Sequence, residues 1–203
     1  MQRELSQEVH NALTELGNIG AGNATTSLSI LLSSQITITP PHVKMYEFNE
    51  LENFFGGAEA TTVAVLSNIE GDIGAMFLFL MKEEDAEQLL KEFVRDDIIL
   101  NSDYGMDAVR EIGNIMIGSY VASLETLSGL KIRYSVPQII TDMAGAILSL
   151  PCTVFGQVED KVLLIDSGFA SGEKRIKGFI MMISERNSYD VLLEKLGIER
   201  AYE

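Results

Sequence analysis

Two short polar pairs interrupt otherwise apolar stretches of this sequence. Glu15 precedes Asn18 by three residues, and Glu111 precedes Asn114 at the same spacing. At about 100° per helical residue, this spacing places a carboxylate and a carboxamide on one narrow stripe. Each stripe holds one more polar residue and one glycine: Asn11 and Gly22 in the first stretch, Asp107 and Gly118 in the second. Because glycine destabilises a helix by about 1 kcal/mol relative to alanine, the glycines of the two stretches indicate that something approaches this surface closely; they are Gly17, Gly20, Gly22, Gly113 and Gly118.

The two stretches are copies of one segment. Aligned at an offset of 96 residues from Glu15 to Pro41, ten of 27 positions are identical, whereas unrelated sequences of average composition would share roughly two. In both copies 22 residues separate the asparagine from a proline, Pro41 or Pro137. The chain is therefore an internal duplication, and the retained polar pair points to a site as well as a fold.

Hydrophobic periodicity predicts alternating helices and strands in both copies. Helices are expected over residues 4–33, Glu83–Val94, Met106–Ser128 and Ser188–Leu196, with a further candidate at Gln138–Leu150. Strands are expected at Gln35–Thr39, Thr61–Asn68, Ile73–Met81, Lys131–Ser135, Thr153–Val158, Val162–Asp166 and Ile176–Ser184. Neither half supplies enough sheet alone. We therefore predict one α/β (α+β) domain over residues 1–203, with pseudo-repeats 1–100 and 101–203, pseudo-two-fold symmetry, a mostly antiparallel sheet and exposed helices that carry the candidate site.

Composition excludes several classes of function. Thirty acidic and fifteen basic residues give a net charge of −15, which repels nucleic acid and anionic lipid surfaces. The single cysteine, Cys152, and the isolated His10 and His42 show no metal-ligand spacing. The longest apolar run, Ile73–Met81, is about half a membrane span. We expect a cytoplasmic protein without membrane insertion or a metal site of its own.

Plainer interpretations of the repeated residues remain open at this point. A Glu and an Asn on one helix can be an ordinary solvated face, and the prolines can simply end strands. The run Gly17–Gly22 superficially resembles a dinucleotide-binding loop, but a helical segment rather than a strand precedes it. Neither histidine lies in a triad-like context, which disfavours nucleophilic hydrolysis by the chain's own side chains.

The complete pattern is more specific than any one of its parts. Asp or Ser, three residues, Glu, two residues, Asn, 22 residues and Pro, present twice in a chain of 203 residues, resembles the CheC group of chemotaxis phosphatases, relatives of CheX and FliY. Asp107, Glu111, Asn114 and Pro137 match it fully. The first copy matches at Glu15, Asn18 and Pro41 but has Asn11 where the pattern has Asp or Ser.

The resemblance implies a protein substrate, the phosphorylated response regulator CheY with its own bound Mg²⁺. Asn114, and Asn18 at a weaker first site, would orient the attacking water, while Glu111 and Glu15 would pair with a regulator lysine. No cofactor of the chain's own is implied. Asp107, Asn11, Pro137 and Pro41 would support these two sites.

The resemblance also implies a second partner, the receptor deamidase CheD. Its binding surface would lie around Asp142, Met143 and Ile147, on the helix predicted after Pro137. The alternative to an enzyme is a non-catalytic adaptor that controls CheD availability in response to phosphorylated CheY. A FliY-like switch component would carry a further domain, and a CheX-like protein would be shorter. We expect a monomer, because the duplication supplies internally what a homodimer would otherwise provide.

Overall fold

The computed structural model describes residues 7–39, 42–94, 97–156, 161–171 and 174–197. Six helices form in this part of the chain. They are α1 (Gln7–Leu31), a 3₁₀ helix (Phe48–Phe54), α2 (Glu83–Phe93), α3 (Asp103–Ser128), α4 (Ala144–Phe155) and α5 (Ser188–Lys195). None of these helices is both long enough and apolar enough to cross a membrane.

Eight strands form one antiparallel sheet. They are β1 (Thr37–Ile38), β2 (His42–Glu47), β3 (Thr61–Gly71), β4 (Ala75–Lys82), β5 (Ile132–Tyr134), β6 (Gln138–Met143), β7 (Lys161–Ser171) and β8 (Lys174–Ser184). The long hairpins β3–β4 and β7–β8 meet at the centre, where β4 pairs with β8. All strand pairs that the structure describes are antiparallel, so the predicted fold class is confirmed.

The short strands of each copy pair with the hairpin of the other copy. β1 and β2 lie against β7, and β5 and β6 lie against β3. The registers correspond: His42 faces Asp166 as Gln138 faces Leu66. Between these two pairs, the short-strand residues His42 and Gln138 are 96 positions apart, and the hairpin residues Leu66 and Asp166 are 100 positions apart. The duplication visible in the sequence is thus also a duplication of strand pairing.

Helices cover both faces of the sheet. Alternate residues of the central strands point to opposite sides, so Val63 and Val65 contact one core while Ala64 and Leu66 contact the other. The first core includes α1, α2, α3 and α5, and the second includes α4 and the 3₁₀ helix. Because both sides are buried, the central strands are apolar at nearly every position, as in the predicted run Ile73–Met81.

Two predicted elements are wrong in the second copy. Residues Gln138–Met143, predicted as part of a helix, form the strand β6, because they continue the edge of β3 in register from Leu66 to Thr61. The predicted strand Thr153–Val158 is helical as far as Phe155, and residues 157–158 lie outside the described part. Helix α4 continues through Pro151, which is buried, and ends at Gly156, whose φ is +71°. Packing against the second core therefore outweighs the strand preference of Thr153 and Val154.

Candidate functional site

Helix α3 presents the second polar pair on its outer face. Ser102 caps its first turn by accepting a hydrogen bond from the Gly105 amide at 3.1 Å, and Gly129 ends it in the left-handed conformation. Its apolar face is buried in the core through Val109, Ile112, Met116, Ile117 and Tyr120. Burial of that face fixes the rotation of the helix, which leaves the polar stripe outside.

The second-copy stripe is accessible and largely unpartnered. Asp107 and Glu111 are exposed, and Asn114 is partly exposed. Asp107 forms an ion pair with Arg110 at 2.8 Å. Within the part of the chain that the structure describes, neither the Glu111 carboxylate nor the Asn114 carboxamide has a hydrogen bond or ion pair. A carboxylate acceptor and an amide with both donor and acceptor groups are therefore free to bind a partner.

The first-copy stripe on α1 is also on the surface. Asn11, Glu15 and Asn18 are all exposed. The side-chain carbonyl of Asn11 accepts a hydrogen bond from the side-chain amide of Gln7 at 2.9 Å. As in the second copy, Glu15 and Asn18 have no side-chain partner among the described residues. The two stripes differ at their first position, where a neutral amide replaces the paired carboxylate of Asp107.

Asn114, but not Asn18, lines the groove between α1 and α3. The groove is a depression of about 470 Å³. Its other lining residues are Asn23, Thr26, Ser27, Ile115, Gly118, Ser119, Ala122 and Tyr134. The first-copy helix therefore forms one wall beside the second-copy asparagine, so the second site is composite.

Tyr134 and the α1 residues of this wall were not identified from the sequence. Tyr134 lies on β5, and its hydroxyl is the nearest atom to the space above Gly118. The available signal was the difference between copies, since Ile38 occupies the position equivalent to Tyr134. The repeat predicts only residues that the two copies share, so a site residue present in one copy alone is missed.

The glycines have a structural explanation different from the predicted one. A Cβ at Gly113 would lie 2.5 Å from the Val65 Cβ, and a Cβ at Gly20 would lie 2.5 Å from the Tyr120 ring. Both glycines are buried and allow α3 to approach the sheet and α1. On the stripes, Gly22 has open space and Gly118 faces Tyr134. Internal packing, rather than an external partner, accounts for three of these four glycines.

The motif prolines follow the short strands. Pro137 is partly exposed and separates β5 from β6, so both strands can pair with β3 on either side of it. The equivalent Pro41 lies outside the described residues. The position of Pro137 fits a strand terminator, because proline lacks the N–H that a continuous ladder would need.

A hydroxyl group two residues before each proline holds the chain to the sheet. The Ser135 hydroxyl accepts the Asn68 N–H at 3.0 Å, and the Asn68 carbonyl accepts the Ser135 N–H at 2.9 Å. In the first copy the Thr39 hydroxyl accepts the Gly168 N–H at 3.0 Å, and the Gly168 carbonyl accepts the Thr39 N–H at 2.8 Å. The two copies thus share an anchor that the repeated Glu, Asn and Pro did not reveal.

The residues predicted to bind CheD separate into exposed and buried positions. Asp142 and Met143 are exposed, but they lie on β6 and not on a helix. The Asp142 carboxylate accepts a hydrogen bond from the Met143 amide at 2.7 Å. Ile147 is 0% exposed and packs in the second core, so it cannot contact a partner directly. Only Asp142 and Met143 remain as surface residues of that group.

A metal site is a separate question. In the described ranges, no three His, Cys, Asp or Glu side chains are grouped as metal ligands would be.

Comparison with known proteins agrees with the duplicated motif. Residues 8–45 and 105–141, which contain both motif copies, match the CheC-like family. The CheY-P phosphatase CheC of Bacillus subtilis is 32% identical over 200 residues, which are 95% of this chain and 96% of that protein. The chain belongs to the CheC-like family. The resemblance inferred from the sequence is therefore confirmed.

Other relatives of this CheC-like chain are flagellar proteins. The flagellar motor switch phosphatase FliY of Bacillus subtilis is 28% identical over 145 residues, which are 67% of this chain and 36% of that protein. The crystal structure of Thermotoga maritima FliY has a TM-score of 0.70 at 22% identity, covering 96% of this chain and 98% of that one. The Helicobacter pylori FliM middle domain has a TM-score of 0.67 at 13% identity, covering 94% and 99%. At these identities the two structures show a shared fold only.

Proposed function

We propose that this CheC-like chain is a phosphatase that hydrolyses the aspartyl phosphate of the response regulator CheY. The observation that carries the proposal is the exposed Glu111–Asn114 pair, which has no side-chain partner among the described residues, in a chain so similar to a CheY-P phosphatase. An internal structural role would have given these side chains partners inside the protein. Their availability suits a surface that completes another protein's site.

The reaction requires a water molecule in line with the phosphorus atom. The water oxygen bonds to phosphorus, the bond from phosphorus to the aspartyl oxygen breaks, and inorganic phosphate leaves as the carboxylate is restored. An amide can hold this water through its carbonyl oxygen without forming a covalent intermediate. Asn114 is assigned this role, with Asn18 as its counterpart at the first site.

The glutamates anchor the complex. Glu111, and Glu15 at the first site, pair with a lysine of the regulator, a charge-assisted contact that fixes the approach of the amide. The Mg²⁺ that neutralises the phosphoryl oxygens belongs to the regulator, and the chain contributes no cofactor of its own. Loss of the amide therefore lowers the rate and spares binding, whereas loss of the carboxylate weakens both.

The second site is assigned the larger activity. Asn114 borders the groove between α1 and α3, while Asn18 lies on an open helix face. Asp107 also carries a charge at the position where the first copy has the neutral Asn11, and it forms an ion pair with Arg110. Both differences favour a defined approach of the regulator at the second site.

Phosphate release from phosphorylated CheY tests the assignment. We expect Asn114→Ala to lower the rate far more than Asn18→Ala, and the double variant to fall near the uncatalysed rate. Asn53→Ala is a matched control, because Asn53 is exposed on the 3₁₀ helix across the sheet and should leave the rate unchanged. Equal losses in the two single variants would reject a dominant second site, and full activity of the double variant would reject the mechanism.

A second candidate function is binding of the deamidase CheD, as an adaptor or in addition to hydrolysis. It is favoured by Met143, which is 50% exposed beside the charged Asp142, where β6 leads into α4. Helix α4 covers the face of the sheet opposite α1 and α3, so a partner there would leave the phosphatase stripes open. CheD affinity should fall for Asp142→Lys and stay constant for Asp103→Lys, an exposed acid at the start of α3. Unaltered affinity of Asp142→Lys would remove this surface from consideration.

A further inference from the structure

Tyr134 forms a wall of the groove beside Asn114. It is 42% exposed on β5, where it pairs with Ile69 of β3. A Cβ added at Gly118 would lie 2.9 Å from the Tyr134 hydroxyl, so the absence of a side chain there leaves room for the phenol. The Tyr134 hydroxyl has no hydrogen bond within the described residues. A large ring with a free polar tip is thus held next to the proposed catalytic amide.

The first copy lacks this arrangement, although its backbone is equivalent. Ile38 occupies the same register on β1, opposite residue 169 of β7, but it is only 8% exposed and belongs to the core. Gly22, the counterpart of Gly118, has no atom within 4 Å of an added Cβ. The two sites therefore differ in which side chain is exposed at matched positions. Glu15 and Asn18 do not distinguish the sites, because the same residue types recur at Glu111 and Asn114.

An exposed tyrosine in this position is suited to a protein partner. Tyrosine is enriched among the residues that dominate binding energy, because its ring buries much apolar area and its hydroxyl can still bond. The hydroxyl can donate to an oxygen acceptor on the partner. Its shared groove with Asn114 means that a regulator bound through the amide would also meet the tyrosine.

We propose that Tyr134 is a specificity-determining contact residue for the phosphorylated regulator, and that it makes the second site the stronger one. This inference rests on the proposed phosphatase function. Tyr134 contributes to recognition, since the ring contacts the regulator's surface while Asn114 orients the water. Its loss therefore raises KM and leaves kcat nearly unchanged, which separates it from the catalytic amide.

The test uses the full-length chain with one site disabled at a time. In the Asn18→Ala background, where the second site operates, we expect Tyr134→Ala to raise KM for phosphorylated CheY about tenfold and Tyr134→Phe about threefold. In the Asn114→Ala background, followed with enzyme in excess, neither change should lower the residual rate. Val154→Ala, which truncates an exposed apolar residue on α4, is the control and should leave KM unchanged.

Other outcomes would overturn the inference in distinguishable ways. An unchanged KM in the Asn18→Ala background, or a loss confined to kcat, would show that Tyr134 does not contact the regulator. An equal loss in both backgrounds would indicate a general effect on the fold. Gly118→Ala provides a second route should Tyr134→Ala fold poorly, because its methyl displaces the Tyr134 hydroxyl and should also raise KM. Full activity of the Asn18→Ala/Asn114→Ala double variant would instead refute the phosphatase mechanism itself.

Discussion

Replacement of Gly113 by alanine should have two opposing effects on the stability of the protein. Alanine is the better helix former by about 1 kcal/mol, which would stabilise α3. The added methyl, however, would lie 2.5 Å from the Val65 Cβ and Cγ2 and 2.7 Å from its Cγ1. Val65 is fully buried on β3 and branched at the Cβ, so it cannot rotate away from the new methyl. Helix α3 must move off the sheet, or the strand must shift.

Gly22→Ala supplies the matched control, since Gly22 is also inside a long helix and has nothing within 4 Å of an added Cβ. Its expected effect is the propensity gain alone, a stabilisation of about 1 kcal/mol. Overpacking of a core commonly destabilises by about 1–3 kcal/mol, so Gly113→Ala should range from roughly neutral to about 2 kcal/mol less stable than wild type. The difference between the two variants, about 1–3 kcal/mol, isolates the packing effect because propensity cancels.

Urea unfolding followed by far-ultraviolet circular dichroism measures this difference directly. In a chain of this size each kcal/mol also corresponds to roughly 2–4 °C in thermal midpoint. If Gly113→Ala proved as stable as Gly22→Ala, close approach to Val65 could not be the reason for a glycine in α3. A stable Gly113→Ala protein with reduced phosphatase activity would add that the position of α3 on the sheet also sets the position of Asn114.

Two further predictions concern a helix cap and a partly buried acid. Ser102→Ala removes the hydrogen bond that caps α3 at Gly105, and it should lower the free energy of unfolding by about 1 kcal/mol in urea titrations. Thr126→Ala is the control, because it removes only an exposed side-chain hydrogen bond within α3 and should change the free energy of unfolding little. Burial raises the pKa of Asp85 above 3.8, and this effect outweighs the opposite effect of the hydrogen bond that its carboxylate accepts from the Lys177 N–H. The folded state therefore holds the proton more tightly than the unfolded state, and the protein loses stability as pH rises above 3.8. Asp85→Asn should therefore be more stable than wild type near neutral pH, with the advantage disappearing as pH falls to 3.8, and a pH-independent difference in the urea midpoint would contradict this cause.

Periodicity was a good guide wherever an element is long and both its ends carry local signals. Helix α3 was predicted within three residues of its start, and the hairpin β3–β4 followed from two apolar runs around Gly71. The polar stripe was also predictable, because a helix with one apolar face must expose the other. These features depend on residues that are close together in the sequence.

The errors arose where distant partners decide the local structure. Gln138–Met143 becomes a strand because β3 offers a free edge, and the segment ending at Phe155 becomes helical because it can pack on the second core. Ile147 was placed on a binding surface because of the family resemblance, and sequence alone does not show which side of α4 is covered. Tyr134 was missed because its importance comes from Gly118 and the neighbouring helix, not from any motif.

The exchange of strands between copies bears on how the two proposed sites depend on each other. The segment carrying Tyr134 and Pro137 is held by β3 of the first copy, where the Ser67 hydroxyl donates to the Ser135 carbonyl at 2.6 Å. The groove beside Asn114 has a wall from α1, which also belongs to the first copy. A first copy that lost its own activity would still be needed to build the second site. Structural demand thus preserves the first copy's helix and hairpin, while an exposed position such as Asn11 is free to diverge from its counterpart in the second copy.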